Sequence, residues 1–269
     1  MPEEPGTVYF TGTAGAGKTR LVIAYAEWLK SAGHDSVVVN LDPGTETAEG
    51  EADVDIREWV RLSDVMAEYG LGPNGGQVAA ADLIALKIFE VKKALEEMRT
   101  DFVLVDTPGQ VELFAFRESS RAIVEALGGE RSAIAFLFDP NLAKSPSGFV
   151  SLLLLSATVE FRFRLPTVNL LTKTDLLPPE RVEELVAWAE EPGRLGDAVS
   201  GEAPLPDVQL SAEMYRAIEA LAPLASLLPT SANERSGLDG LYRRLQQTFG
   251  SGEDTEISHA PPESEDPTQ

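Results

Sequence analysis

Short apolar runs ending in polar or glycine-rich turns recur along the chain, at 7–11, 36–41, 102–105, 133–138, 167–171 and 227–229. Runs of this length, bounded by turn residues, read as strands buried on both faces of a parallel sheet. Between them the apolar spacing changes to three and four, and Ile84, Ile88, Val91, Leu95 and Met98 fall on one helical face. The alternation predicts an α/β fold, a mostly parallel sheet with helices on both faces. In such sheets ligands bind beyond the carboxyl ends of the strands, so the residues just after each run are where chemistry is expected. Two intervals, 43–100 and 176–226, exceed a minimal crossover and read as largely helical insertions. The last twenty residues, 250–269, are rich in Gly, Pro, Ser and acids without apolar period, which predicts one domain over 1–249 and a disordered acidic tail.

The run at 7–11 leads into Gly12-Thr13-Ala14-Gly15-Ala16-Gly17-Lys18-Thr19, followed by Arg20. A GxxxxGK[ST] spacing between a strand and a helix is a phosphate-gripping P-loop. Its glycines let the backbone N–H groups wrap phosphate oxygens, and the helix N-terminus adds partial positive charge. Lys18 is placed to reach the β and γ phosphates, and the Thr19 hydroxyl to hold Mg²⁺. Gly12, Gly15, Ala16, Gly17, Lys18, Thr19 and Arg20 are therefore candidate nucleotide-binding residues, in a three-layer P-loop NTPase fold.

The run at 102–105 ends in Asp106-Thr107-Pro108-Gly109-Gln110. A carboxylate there can hold a metal-bound water, and the Gly109 N–H can meet the γ phosphate. Gln110 is the candidate for orienting an attacking water. Asp42, just after the run at 36–41, is a second carboxylate expected to face the metal through water. Thr172-Lys173-Thr174-Asp175, after the run at 167–171, resembles the guanine-reading NKxD motif. Asp175 would accept the N1–H and exocyclic amine of guanine, Lys173 would lie along the purine, and Thr172 replaces the usual Asn, removing an amide contact. Ser231 and Ala232 in Thr230-Ser231-Ala232-Asn233 resemble the element whose backbone N–H meets guanine O6.

Charge narrows the partners. The chain of 269 residues carries 44 acidic against 22 basic side chains, a net charge of −22, which opposes direct binding of nucleic acid or anionic membrane. Only seven of the basic residues are Lys, which favours adaptation to a salt-rich cytosol; a basic partner and simple compositional drift are the other readings. With no Cys, and His34 and His259 the only histidines, disulfides and thiolate metal sites are excluded. No run is long and apolar enough to span a membrane, and the first strand begins close to Met1, so a cytoplasmic protein is expected.

Asp53-Val54-Asp55-Ile56-Arg57-Glu58, followed by Gly72-Pro73-Asn74-Gly75-Gly76, adds to these motifs. With Asn40-Leu41-Asp42-Pro43, they make the sequence resemble a GPN-loop GTPase from about residue 7 to 249. That resemblance implies a homodimer in which Gly72, Pro73 and Asn74 of each subunit approach the partner's phosphate site. It also implies a role in assembling a client complex, such as RNA polymerase; Phe149, Leu152–Leu155 and Phe161 within 148–163 are either client-facing surface or helix core. The expected reaction is Mg²⁺-dependent hydrolysis of GTP to GDP, with Asp106, Gln110, Asn74 and Lys18 as catalytic candidates and Thr19, Asp42 and Asp106 around the metal. Two alternatives stay open: an ATP-dependent kinase of a small molecule or nucleotide, and a nucleotide-bound scaffold with negligible turnover.

Overall fold

The computed structural model describes residues 4–45, 52–202 and 226–250. Its strands are β1 (Gly6–Gly12), β2 (Ser36–Asn40), β3 (Val54–Asp55), β4 (Phe102–Asp106), β5 (Ser132–Phe138), β6 (Thr167–Leu171) and β7 (Leu227–Pro229). They form one sheet in the order β3-β2-β4-β1-β5-β6-β7. Every ladder in it is parallel. The helices are α1 (Lys18–Ser31), α2 (Leu62–Tyr69), α3 (Pro73–Glu96), α4 (Val111–Ala115), α5 (Glu118–Leu127), α6 (Pro140–Ala143), α7 (Pro146–Phe163), α8 (Pro179–Glu190), α9 (Pro192–Glu202) and α10 (Leu238–Thr248).

Continuous apolar strands require cover on both faces, and the alternation along each strand divides the core in two. Val8 and Phe10 of β1 pack with Val38, Leu104 and Leu137 against Leu21 and Tyr25 of α1 and Leu241 and Leu245 of α10. Tyr9, between them, points to the opposite cluster, where Val39, Val105 and Phe136 meet Ile84 and Ile88 of α3, Ile123 of α5 and Leu152 of α7. The result is the three-layer α/β architecture expected, with β1 flanked by β4 and β5. The register sets Phe10 beside Asp106 and Gly12 beside Leu137. Phosphate loop and acidic strand end are thereby neighbours.

Several details differ from the sequence reading. The two-residue β3 was not anticipated, so the strand ending in Asp106 is the fourth in the chain. Among the described residues the interval 43–100 is helical only beyond it, and α3 ends at Glu96, which leaves Met98 past the helix and 37% exposed. Phe149, Leu152 and Leu153 are core residues, whereas Leu154 and Phe161 are 46% and 87% exposed. Within 176–226, α8 and α9 are helical, while 203–225 lies outside the described residues. So does the expected tail after Gly250.

Candidate nucleotide site

Gly17 takes φ 94°, a left-handed conformation that glycine adopts without strain, and turns the chain directly into α1. Lys18, the first residue of that helix, is 6% exposed. Its Nζ donates to the carbonyls of Gly12 at 3.2 Å, Thr13 at 3.1 Å and Gly109 at 2.7 Å. All three ammonium protons are thus used, and the lysine bridges the P-loop to the loop after β4. Burial lowers its pKa, while the carboxylates of Asp106, Asp42 and Glu112 act in the other direction.

Asp106 is 2% exposed at the end of β4. Its Oδ2 accepts from the Thr19 hydroxyl at 2.5 Å, but Oδ1 is buried without a hydrogen-bond partner. Burial pushes the carboxyl up to about 7, against the opposing effects of Thr19 and Lys18. An orphaned carboxylate oxygen next to a threonine hydroxyl is a pair of hard oxygen donors short of a cation, and this donor set fits Mg²⁺.

Asp42 accepts the Gly109 N–H on Oδ2 at 2.8 Å and the Gly44 N–H on Oδ1 at 2.9 Å. The amide that the sequence assigns to the γ phosphate is therefore held by a carboxylate in this conformation. Behind Asp42 stands a polar relay: its N–H donates to Asn40 Oδ1 at 3.0 Å, Asn40 Nδ2 donates to Asp55 Oδ1 at 3.0 Å, and the Arg57 guanidinium grips both Asp55 oxygens. Burial alone raises the Asp55 carboxyl, but the hydrogen bonds from Arg57 and Asn40 outweigh it and hold the group below the usual carboxylate range.

Gln110 is exposed, and its Nε2 donates to Oε1 of Gln77, the fifth residue of α3, at 3.0 Å. Both side chains, with Asp42, Leu62, Gly109 and Leu113, line a cavity of about 170 Å³. Gly72, Pro73 and Asn74 form the start of α3, with Gly72 at the cap and Pro73 in the first helical position. All three are exposed, and no hydrogen bond among the described residues brings Asn74 to its own P-loop. Arg20, also exposed, points no recorded contact at the site.

Beyond β6, the structure adds a contact to the sequence reading of Thr172. Its hydroxyl, 3% exposed with the residue, donates to Ala16 O at 2.8 Å, with Phe138 O at 3.2 Å as a second acceptor. The hydroxyl ties β6 to the P-loop, so replacing Asn here does not leave the loop untethered. Lys173 reaches the Gly15 carbonyl and pairs with Asp139 at 2.9 Å. Asp175 accepts from Ser231 Oγ at 2.6 Å and Asn233 Nδ2 at 2.8 Å, and these bonds hold its carboxyl below the usual range. Ala232 follows Ser231 in the same turn. Three residues were not named as site candidates: Gln77, Asp139 and Asn233. Asp139 follows the run at 133–138 directly and obeys the strand-end rule; Gln77 and Asn233 carry no such signal.

A P-loop after β1, a buried carboxylate ending the neighbouring β4 and a second carboxylate beyond β6, all at the carboxyl edge of the sheet, are the plan of a P-loop nucleotide-binding protein, and the three-layer sheet is that class's fold. Known proteins narrow the class. A family profile described as "Conserved hypothetical ATP binding protein" matches residues 10–251. The GPN-loop GTPase QQT2 of Arabidopsis thaliana is 32% identical over 247 residues, 87% of this chain and 62% of that protein, so this chain spans about six tenths of that relative. The GPN-loop GTPase PAB0955 of Pyrococcus abyssi is 31% identical over 87% of this chain and 93% of its own length. The crystal structure of PAB0955, a GTPase in apo form, superposes with a TM-score of 0.79 at 28% identity, covering 91% of this chain and 98% of that one. The chain belongs to the GPN-loop GTPase family.

Proposed function

We propose that this protein hydrolyses GTP to GDP and phosphate, with Mg²⁺, as a homodimer whose nucleotide state is coupled to the arrangement of its subunits. The observation that carries the choice of base is Asp175. Held ionised by Ser231 and Asn233 at the tip of β6, its carboxylate offers acceptors to the guanine N1–H and exocyclic amine. Adenine lacks that donor pair and turns an acceptor N1 toward the carboxylate, so ATP would gain neither hydrogen bond there. The family profile's description names ATP and the relatives' names GTP. The Asp175 geometry favours GTP.

In the reaction, Lys18 exchanges its backbone carbonyls for β and γ phosphate oxygens, and the P-loop amides from Gly12 to Thr19 wrap the remainder. Thr19 and Asp106, with Asp42 behind water, would hold Mg²⁺, which supplies charge neutralisation for the phosphates. Gln110 orients the attacking water. Water oxygen bonds the γ phosphorus, the bridging bond to GDP breaks, and the proton leaves with the phosphate product. Asn74 acts in the partner's site, for which its exposure at the α3 N-terminus leaves it available. On the same helix Val78, Leu86 and Phe89 are 41%, 73% and 70% exposed at helical spacing, a surface suited to a second copy. Support for assembly of a client complex such as RNA polymerase, in the cytoplasm, completes the reading. No helix among the described residues is long and apolar enough to cross a membrane.

Competition between GTP and ATP tests the base. GTP should bind more tightly, and Asp175→Ala should lose about ten-fold or more of that preference; tighter ATP binding in the wild type sinks the GTPase reading. Sedimentation with GTP bound should show a dimer that Leu86→Glu dissociates. A monomer in the wild type removes the homodimer.

A further inference from the structure

We propose that Gln77 is a positioning residue for hydrolysis: it holds Gln110 and so ties the N-terminal part of α3 to the loop that follows β4. The proposal rests on reading Gln110 as the residue that orients water. Gln110 stands at the start of α4, exposed and without a side-chain cap bond. Its one recorded side-chain hydrogen bond among the described residues is the 3.0 Å donation to Gln77 Oε1. Without it, an exposed glutamine distributes over many rotamers, most of which aim its amide away from the cavity shared with Asp42 and Gly109. With its NH₂ engaged, the Gln110 carbonyl oxygen is left to accept a hydrogen bond from water.

Gln77 can do this because its own backbone is fixed. The N–H of Gly76 donates to Gly72 O at 2.8 Å, closing the first turn. A Cβ at Gly76 would collide with the Met66 side chain of α2, so the turn packs directly against that helix. Leu71 lies against Gly75 on the same turn, at 3.4 Å from where a Cβ would stand. Gln77 follows Gly76 directly, so Gly72, Pro73 and Asn74 and the glutamine that holds Gln110 lie on consecutive turns of one helix start. The attitude of the loop offered to the partner is mechanically shared with the water-orienting side chain of the same subunit.

A neutral side-chain hydrogen bond is worth about three- to ten-fold in population, which sets the expected effect. Single-turnover and steady-state GTP hydrolysis by the full chain with Mg²⁺ reads it. Gln77→Met, which keeps length and removes the amide acceptor, should lower kcat about three- to ten-fold with KM for GTP and the melting temperature unchanged. Gln77→Glu, still an acceptor for the Gln110 amide, should recover most of the rate. In a Gln110→Ala background, Gln77→Met should cost nothing further. An unaltered kcat in Gln77→Met overturns the proposal, as does an equal loss in the Gln110→Ala background, which would mark Gln77 as merely structural. Should Gln77→Met not fold, Gln77→Ala is read by the same criteria. If Gln110→Ala alone keeps the wild-type rate, the role of Gln110 falls and this proposal with it, while hydrolysis itself still stands.

Discussion

Thr172 concentrates several constraints in one hydroxyl. It is buried, sits where β6 ends, and donates to the Ala16 carbonyl inside the P-loop 156 positions away in sequence. Valine has the same shape but no donor, so Thr172→Val leaves that carbonyl buried and unpaired. The loss should be about 1–3 kcal/mol of stability, with nucleotide affinity weakened about ten-fold because the unpaired group belongs to the loop that grips phosphate. Thr172→Ser keeps the donor and should fall much closer to wild type. Calorimetric melting and GDP titration of both variants decide between a tether and a spectator. Equal behaviour of Val and Ser would show that the hydroxyl contributes nothing. The same logic applies more weakly to Lys173, whose ammonium is shared between Gly15 O and Asp139 at the rim of the site.

At the scale of elements, β3 shows how a segment too short to carry a period is still held in place. Two residues in register with Val39 and Asn40 cannot specify a strand by alternation. What fixes it is chemistry: Asp55 receives Asn40 from β2 and the Arg57 guanidinium from the 3₁₀ turn at Ile56–Glu58, with both charged side chains mostly buried. The folded Asp55 carboxyl is held below its unfolded value near 3.9. Its contribution is therefore complete above that value and is lost as pH falls through it toward the folded one. Asp55→Asn should cost about 2 kcal/mol at neutral pH and progressively less below about pH 4, where the wild type loses the same interaction. Urea melts across that range measure it; a penalty independent of pH would mean that the charge is irrelevant. The comparison also explains what the sequence could disclose. The long strands were legible because burial on both faces writes continuous apolar runs, and the P-loop because its spacing encodes a local backbone shape. β3 was not, nor was the end of α3 short of Met98. Gln77–Gln110, Asp139–Lys173 and Asn233–Asp175 pair across 33, 34 and 58 positions, and only the fold brings such partners together.

For the molecule as a whole, the dominant unexplained quantity is a net charge of −22 on 269 residues. Among the described residues, arginines pair with single carboxylates at the surface, as in Arg117–Asp82, Arg121–Glu125 and Arg243–Asp239, and with 44 acids to 22 bases such pairing cannot neutralise the chain. Exposed pairs of that kind stabilise little, and repulsion among the remaining carboxylates opposes compaction. Screening relieves it, because the Debye length shrinks from about 10 Å at 0.1 M salt to about 3 Å at 1 M. If the acidity is an adaptation to salt, the melting temperature should rise by at least about 5 °C between those concentrations of KCl, since each kcal/mol is worth about 2–4 °C in a chain of this size. Sucrose strengthens burial without screening and serves as the control for solute exclusion. A rise equal in sucrose and KCl would assign the effect to exclusion. A flat KCl response would instead remove the salt reading and leave a basic partner or compositional drift as the source of the charge.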